Sequence, residues 1–321
     1  MIKGKLMDQN NADLMQETSV SGPKGGTQVV YINSFTNSGS TILGSLLGGH
    51  PQIQYIGESK NFQANILADK LCSCGLAFKV CPFWKQVLSD LGMDIDEFST
   101  KVGARSRLHK LLQLLLLFDV SSDHVIFSLG RNPFDRERTM VSNVIRLHQL
   151  AAKVSGKPII CDSAHRSSLA KQLSLKYKHG SIKIIHLIRD GRGVMNSIVK
   201  KQKVGAAAAA KDWRNYTRYA LLVQRTIPEA FTMQVKYEDL GSRFSDTLNR
   251  IYAFLNLELL AQQPLIERTN FHVIGGSRTL RSRSAWEFRF DETWRSELSP
   301  SNLDTFQKIA GRLNRSLGYE R

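Results

Sequence analysis

The chain has 321 residues, 42% of them hydrophobic, enough apolar surface for one large α/β domain carrying a helical insertion. It holds no run of about 18 apolar residues that could span a bilayer, and its polar, mixed-charge start is unlike a signal sequence, so the expected compartment is cytoplasmic. Lys and Arg outnumber Asp and Glu by 44 to 28, a net charge of +16 that draws anions; a multiply charged nucleotide, nucleic acid and an anionic membrane face all suit it, and charge alone does not choose.

Residues 1–26 carry Asn-Asn, Ser-Gly-Pro and Gly-Gly with no apolar period and read as a flexible lead-in. The fold is expected to occupy residues 27–321 as a single domain. Gln28 to Asn33 has strand character, Ser34 to Gly39 is a loop, and a helix opens at Ser40 and continues through Leu43, Leu46 and Leu47. A short second strand follows at Ile53 to Ile56. From about 61 to 155 the pattern turns helical, including Arg105 to Phe118 and Asn132 to Ala152. The basic, leucine-rich piece Lys101 to Phe118 reads as a buried helix, with a membrane-surface helix as the alternative. Cys72-Ser-Cys74 and Cys81 lack the second pair of ligands that zinc usually takes, so they read as small thiols packed in a turn, with a local disulfide or a metal site as the alternatives.

Further strands are expected at Lys157 to Asp162, Ile182 to Ile188 and Phe231 to Lys236, each followed by a helix-compatible stretch. That alternation predicts a three-layer α/β fold, a parallel sheet with flanking helices of the nucleotide-binding P-loop type. Trp213, on a long helical stretch, reads as core, with adenine stacking as the alternative.

Thr36-Asn-Ser-Gly-Ser-Thr41 lies between a strand and a helix N-terminus, where open backbone N–H groups and the helix dipole favour an anion. Gly39 lets the backbone curl toward a phosphate, and Ser38, Ser40 and Thr41 bring hydroxyls. The Lys of the usual NTPase loop is missing, and so is a clear carboxylate for Mg²⁺. Further along, Ile182 to Ile188 runs into Arg189-Asp-Gly-Arg192, with Ser197 on the helix behind it. An Arg at a strand end and a Ser eight residues on suit a second phosphate.

These residues resemble the PAPS-dependent sulfotransferases, which use 3′-phosphoadenosine 5′-phosphosulfate. Asn37-Ser-Gly-Ser-Thr41 is similar to their 5′-phosphosulfate loop, and Arg189-Asp-Gly-Arg192 with Ser197 to their 3′-phosphate motif. His50-Pro51 with Gly57-Glu58, the box Val235-Lys-Tyr-Glu-Asp-Leu240, and the tail from His272 through Asp291-Glu-Thr-Trp-Arg295 to Gly318-Tyr319 resemble the tyrosylprotein branch and its bacterial-type relatives.

The resemblance implies sulfuryl transfer to an acceptor hydroxyl, with Glu58 as general base. The donor is then held by Asn37, Ser38, Gly39, Ser40 and Thr41 at one phosphate and Arg189 and Ser197 at the other, with Tyr237 and Arg278 lining the nucleotide and Arg192 bracing the loop. Asn37 stands where the family commonly has Lys or Arg; His165 and Arg166 are the expected replacements at the catalytic centre, with Lys60 and Arg278 also open. PAPS is the one cosubstrate expected, with PAP as its product and no metal. Acceptors left open are a glycan, a lipid, a small metabolite or tyrosine; nucleic acid is not an expected partner, while a membrane surface stays open. The alternatives are a nucleotide kinase-like phosphoryl transferase and a noncatalytic phosphonucleotide- or polyanion-binding protein.

Overall fold

A computed structural model of the chain describes residues 26–100, 135–177, 180–260, 266–267, 271–275, 285–286 and 290–320. The expected lead-in, the Lys101 to Phe118 helix and Arg278 lie outside these residues. The described elements alternate as the hydrophobic pattern requires: strand β1 (Gln28–Ser34), helix α1 (Ser40–Gly48), β2 (Ile53–Gly57), α2 (Phe62–Leu67), α3 (Pro82–Ser89), α4 (Asp135–Ser155), β3 (Ile159–Asp162), α5 (Ser167–Lys176), β4 (Ile182–Ile188), α6 (Gly191–Gln202), α7 (Ala206–Arg225), β5 (Thr232–Lys236), α8 (Tyr237–Ser242) and α9 (Phe244–Phe254). A two-stranded antiparallel ladder, β6 (Ile266–Glu267) with β7 (Ala285–Trp286), and helices α10 (Trp294–Glu297) and α11 (Pro300–Ser316) complete them.

Strands β1 to β5 form one parallel sheet in the order β2-β3-β1-β4-β5. Their runs of Val and Ile are apolar on both faces because helices cover both. Val30 and Ile32 pack with Leu43, Leu46 and Leu47 of α1 and with Leu248 and Ile251 of α9. Val29 and Tyr31, one residue out of step, face Met140 and Val144 of α4, Leu169 and Leu173 of α5 and Val223 of α7. Trp213 belongs to a third layer of contacts, its ring 5.6 Å from that of Phe306 on α11, so the core reading holds.

Because all five strands are parallel, their carboxyl ends share one edge. The chain leaves β1 toward one side of the sheet and later crosses to the other side at β4, which opens a crevice beside β1 at that edge. One more segment reaches this edge. Ile274 pairs with Gly57 in a parallel bridge, its N–H donating to the Ile56 carbonyl (2.7 Å) and its carbonyl accepting the Glu58 N–H (2.9 Å). Gly57 has φ +80°, and a Cβ there would run into the Ile274 carbonyl, so glycine is required for the close approach.

His186 on β4 is buried and donates through Nδ1 to Oε1 of Gln224 (2.8 Å). Burial outweighs that bond and pushes its pKa below the ordinary imidazole value. The folded state therefore binds this proton less readily than the unfolded chain, so its stability is complete above about pH 6.5 and declines as pH falls toward the folded pKa. Urea denaturation should give a lower unfolding free energy at about pH 5.5 than at about pH 7.5, and His186→Gln should flatten part of that difference.

Candidate active site at the carboxyl edge of the sheet

The loop leaving β1 is shaped by two residues in the left-handed region, Asn37 (φ 60°) and Gly39 (φ 93°). The Ser38 N–H donates to the Phe35 carbonyl (3.2 Å), which tightens the turn. Helix α1 starts at Ser40 with no side chain capping its first turn. Its N-terminal N–H groups and dipole thus face the crevice as an anion cradle. Ser38 and Ser40 are buried in the loop, and the half-buried Thr41 accepts a bond from the Ser45 hydroxyl at its carbonyl (2.8 Å). Tyr237, from the start of α8, lies beneath the turn, where a Cβ added at Gly39 would come 2.5 Å from its ring.

His165, at the end of the loop after β3, joins this cradle to the carboxylate expected as base. Its Nδ1 donates to the Ser34 carbonyl (3.1 Å) and lies 3.0 Å from the Ser34 hydroxyl, leaving Nε2 to accept from the Ser40 hydroxyl (3.2 Å). Nε2 is also 3.7 Å from Oε1 of Glu58. Burial lowers the His165 pKa despite the opposing pull of Glu58, so at neutral pH the ring is uncharged and acts as a hydrogen-bonding spacer. Glu58 accepts from the Asn61 amide (2.7 Å) and has the Lys60 ammonium 3.7 Å away. Behind it, fully buried Asp162 accepts the Ser59 hydroxyl (2.5 Å) and a bond from His148 Nε2 (2.9 Å), tying β3 to the turn after Glu58. Arg166 points elsewhere, its guanidinium reaching Ser168 (3.1 Å) and the Met140 sulfur.

Arg189 ends β4 and is only 6% exposed. It donates to the Asn37 carbonyl (3.1 Å) and to both the carbonyl (2.8 Å) and the carboxylate (3.1 Å) of Asp291, while its guanidinium stacks 4.5 Å from the Tyr237 ring centre. For Asp291, burial acts to raise the pKa, but hydrogen bonds from Thr293 and Arg189 outweigh it and hold the carboxyl below its ordinary value. Arg192 pairs with Asp190 (2.6 Å) and stacks on Trp294 (4.5 Å); Glu238 accepts the Asp190 N–H (3.0 Å) and the Tyr319 hydroxyl (2.8 Å). Arg192 thus sits in a brace behind Arg189.

On α6, Lys201 reaches the Asn37 side chain (Nζ to Oδ1, 3.3 Å). Ser197 is one turn earlier on the same face of that helix. The sequence reading missed Lys201, Asp162 and Asp291 as parts of this site. Lys201 carried a detectable signal, its one-turn spacing from Ser197; the pairing of Asp291 with Arg189 carried none.

Residues 136–261 match the family model described as "Sulfotransferase family". Over 94% of its length the chain is similar in structure to the sulfotransferase domain of the Synechococcus olefin synthase, covering 98% of that domain at 21% identity and a TM-score of 0.52. The family model thus matches less than half of the chain, and the structural likeness is one of fold. More distant similarities are to a Mycobacterium tuberculosis sulfotransferase (14% identity, 89% of this chain and 77% of that one, TM-score 0.47) and a mouse sulfotransferase complexed with PAP (13%, 91% and 87%, TM-score 0.44). No curated protein matches the chain. The matched family segment contains β3, β4, Arg189 and Ser197, while the cradle and Glu58 lie before it.

Gly39→Ala would force a side chain into a left-handed backbone and against Tyr237. Urea unfolding of that variant should give a loss of about 1–3 kcal/mol.

Proposed function

We propose that the chain is a sulfotransferase that moves the sulfuryl group of PAPS to an acceptor hydroxyl, with Glu58 as the general base. One observation carries this reading: a single imidazole, His165, touches both Ser40 of the anion cradle and, at 3.7 Å, the Glu58 carboxylate. A base that close to a phosphate cradle is what sulfuryl transfer needs and what a plain nucleotide-binding protein does not.

The residues suit the donor. The uncapped start of α1 and the left-handed Gly39 offer backbone N–H groups to the 5′-phosphosulfate, joined by Asn37, Ser38, Ser40 and Thr41. Arg189, in contact with the same loop, and Ser197 take the 3′-phosphate, with Asp291 as the internal counter-ion that shares Arg189. Tyr237 supports from beneath by stacking on Arg189. PAPS supplies the group transferred; everything else falls to the protein. Glu58 removes the acceptor proton as the acceptor oxygen bonds to sulfur, and the bond from sulfur to the 5′-phosphate oxygen breaks. The negative charge gathering on that oxygen meets the α1 dipole and Lys201, which stands beside Asn37 and takes over the charge a Lys or Arg at that position would bring. His165, uncharged, orients the Ser40 hydroxyl. Among the described residues no helix is long and apolar enough to cross a membrane, and the acceptor classes stay a glycan, a lipid, a small metabolite or tyrosine.

Incubation with labelled PAPS, a cell extract and a chelator of Mg²⁺ should yield a labelled acceptor; transfer that requires Mg²⁺ would point to phosphoryl chemistry instead. Glu58→Gln should keep PAP affinity, measured by calorimetry, while turnover falls about 10²-fold or more; full activity in that variant removes Glu58 as base. Arg189→Ala should weaken PAP binding by about 1.5–3 kcal/mol, as loss of a charged hydrogen bond does.

A further inference from the structure

Away from the crevice, three cysteines and a histidine converge from two distant parts of the chain. Cys72, Cys74 and Cys81 lie on the turns between α2 and α3, and His272 lies two residues before Ile274. Their four ligand atoms all fall within 4.8 Å of one another. Cys74 Sγ is 3.6 Å from Cys81 Sγ, and the His272 Nδ1 is 3.2 Å from Cys81 Sγ and 3.8 Å from Cys72 Sγ. A tetrahedral zinc with bonds of about 2.3 Å to sulfur and 2.0–2.1 Å to nitrogen sets its ligand atoms roughly 3.5–3.8 Å apart; the three separations above, 3.2–3.8 Å, lie close to that range, and small side-chain shifts bring the widest pair, within 4.8 Å, into it. The thiols are free, and 3.6 Å is far beyond a sulfur–sulfur bond of about 2.05 Å.

The surroundings hold this arrangement in place. Gly75 (φ 96°) turns the chain back after Cys74, with the Cys72 N–H donating to Leu76 (2.9 Å) and the Gly75 N–H to Cys72 (3.0 Å). The Ser73 hydroxyl donates to the Phe271 carbonyl (2.8 Å) and accepts the Val273 N–H (2.9 Å), so it clamps the backbone on both sides of His272. The imidazole lies flat on Phe83, centroids 4.8 Å apart and planes 3° apart. Cys72 and Cys81 sit in the apolar cluster formed by Phe78, Phe83 and Trp84.

We propose that Cys72, Cys74, Cys81 and His272 bind one zinc ion. Four protein ligands leave no open position, so the site is structural, and loading it releases the protons of the thiols that become ligands. All four residues lie outside the segment matched to the family. Sequence spacing gave three thiols without a fourth partner; the fold supplies it. The ion fastens the turns after α2 to the segment whose Ile274 pairs with Ile56 and Glu58, so it steadies the backbone under the Glu58 carboxylate.

The full chain, purified anaerobically under reducing conditions and reconstituted with zinc, should carry one zinc per chain by mass spectrometry of the metal. Cobalt in its place should give the thiolate charge-transfer and tetrahedral d–d absorption of a Cys₃His site. His272→Ala and Cys81→Ser should each lower zinc content at least tenfold, whereas His272→Cys should retain it. Since such variants could fail to fold, zinc is also displaced from the wild-type chain by a thiol-modifying reagent; release of one equivalent, with a lower melting temperature afterwards, supports the site. Zinc below a tenth of an equivalent in the reconstituted wild type, unchanged zinc content in folded His272→Ala, or a Cys74–Cys81 disulfide in the anaerobic protein would each overturn the proposal.

Discussion

A guanidinium buried at the end of a parallel strand has to find partners, because its charge cannot be left in a low-dielectric interior. Arg189 finds them in the two places that matter most. Its bond to the Asn37 carbonyl holds the anion loop from β1, and its bonds to Asp291 hold the C-terminal segment. Tyr237 fills the space beneath, against both the Arg189 plane and the turn at Gly39. Three stretches with no sequence proximity are thereby set around one point of the sheet edge. The Asp190, Arg192 and Glu238 bonds behind it fix the strand end from which Arg189 projects.

Much of this was legible because it is local. The Val and Ile runs of β1, β3 and β4 announced buried parallel strands, and Ser34 to Gly39 announced the loop, since period and glycine placement are short-range signals. The helix expected to end near Ala152 ends at Ser155, the usual uncertainty of a helix end. What could not be read is long-range. Lys201 reaches Asn37 across 164 positions, and Asp291 meets Arg189 across 102. Ser59 and Asp162 meet only because β2 and β3 are neighbours in the sheet. Composition and period carry no record of such pairings.

The same contrast explains how charge is distributed here. A reading by residue type put His165 forward as a replacement cation, since imidazole titrates near neutrality. Burial between Ser34 and Ser40 removes that charge and makes the ring a spacer between cradle and carboxylate. Arg166 directs its Nε bond to Ser168 and an Nη1 bond to Met140. A cation beside Asn37 is nonetheless present in Lys201, on the helix that begins just after Arg189. Function in such a site belongs to the position of a charge in space, and the residue number that delivers it is free to change.

The C-terminal part of the chain touches the crevice at both ends. Near its beginning, Ile274 adds to the edge of β2 and fixes the backbone of Glu58; further on, Asp291 engages Arg189. The two contacts differ in kind. The first is a backbone ladder with a glycine, Gly57, that permits no side chain, and it resists displacement because breaking it strands buried N–H and carbonyl groups. The second is an ion pair whose acidic member is 43% exposed, and water or a competing anion can replace that carboxylate at little cost. An anion arriving at Arg189 therefore has a partner it can displace or share, while the Glu58 side of the crevice stays anchored.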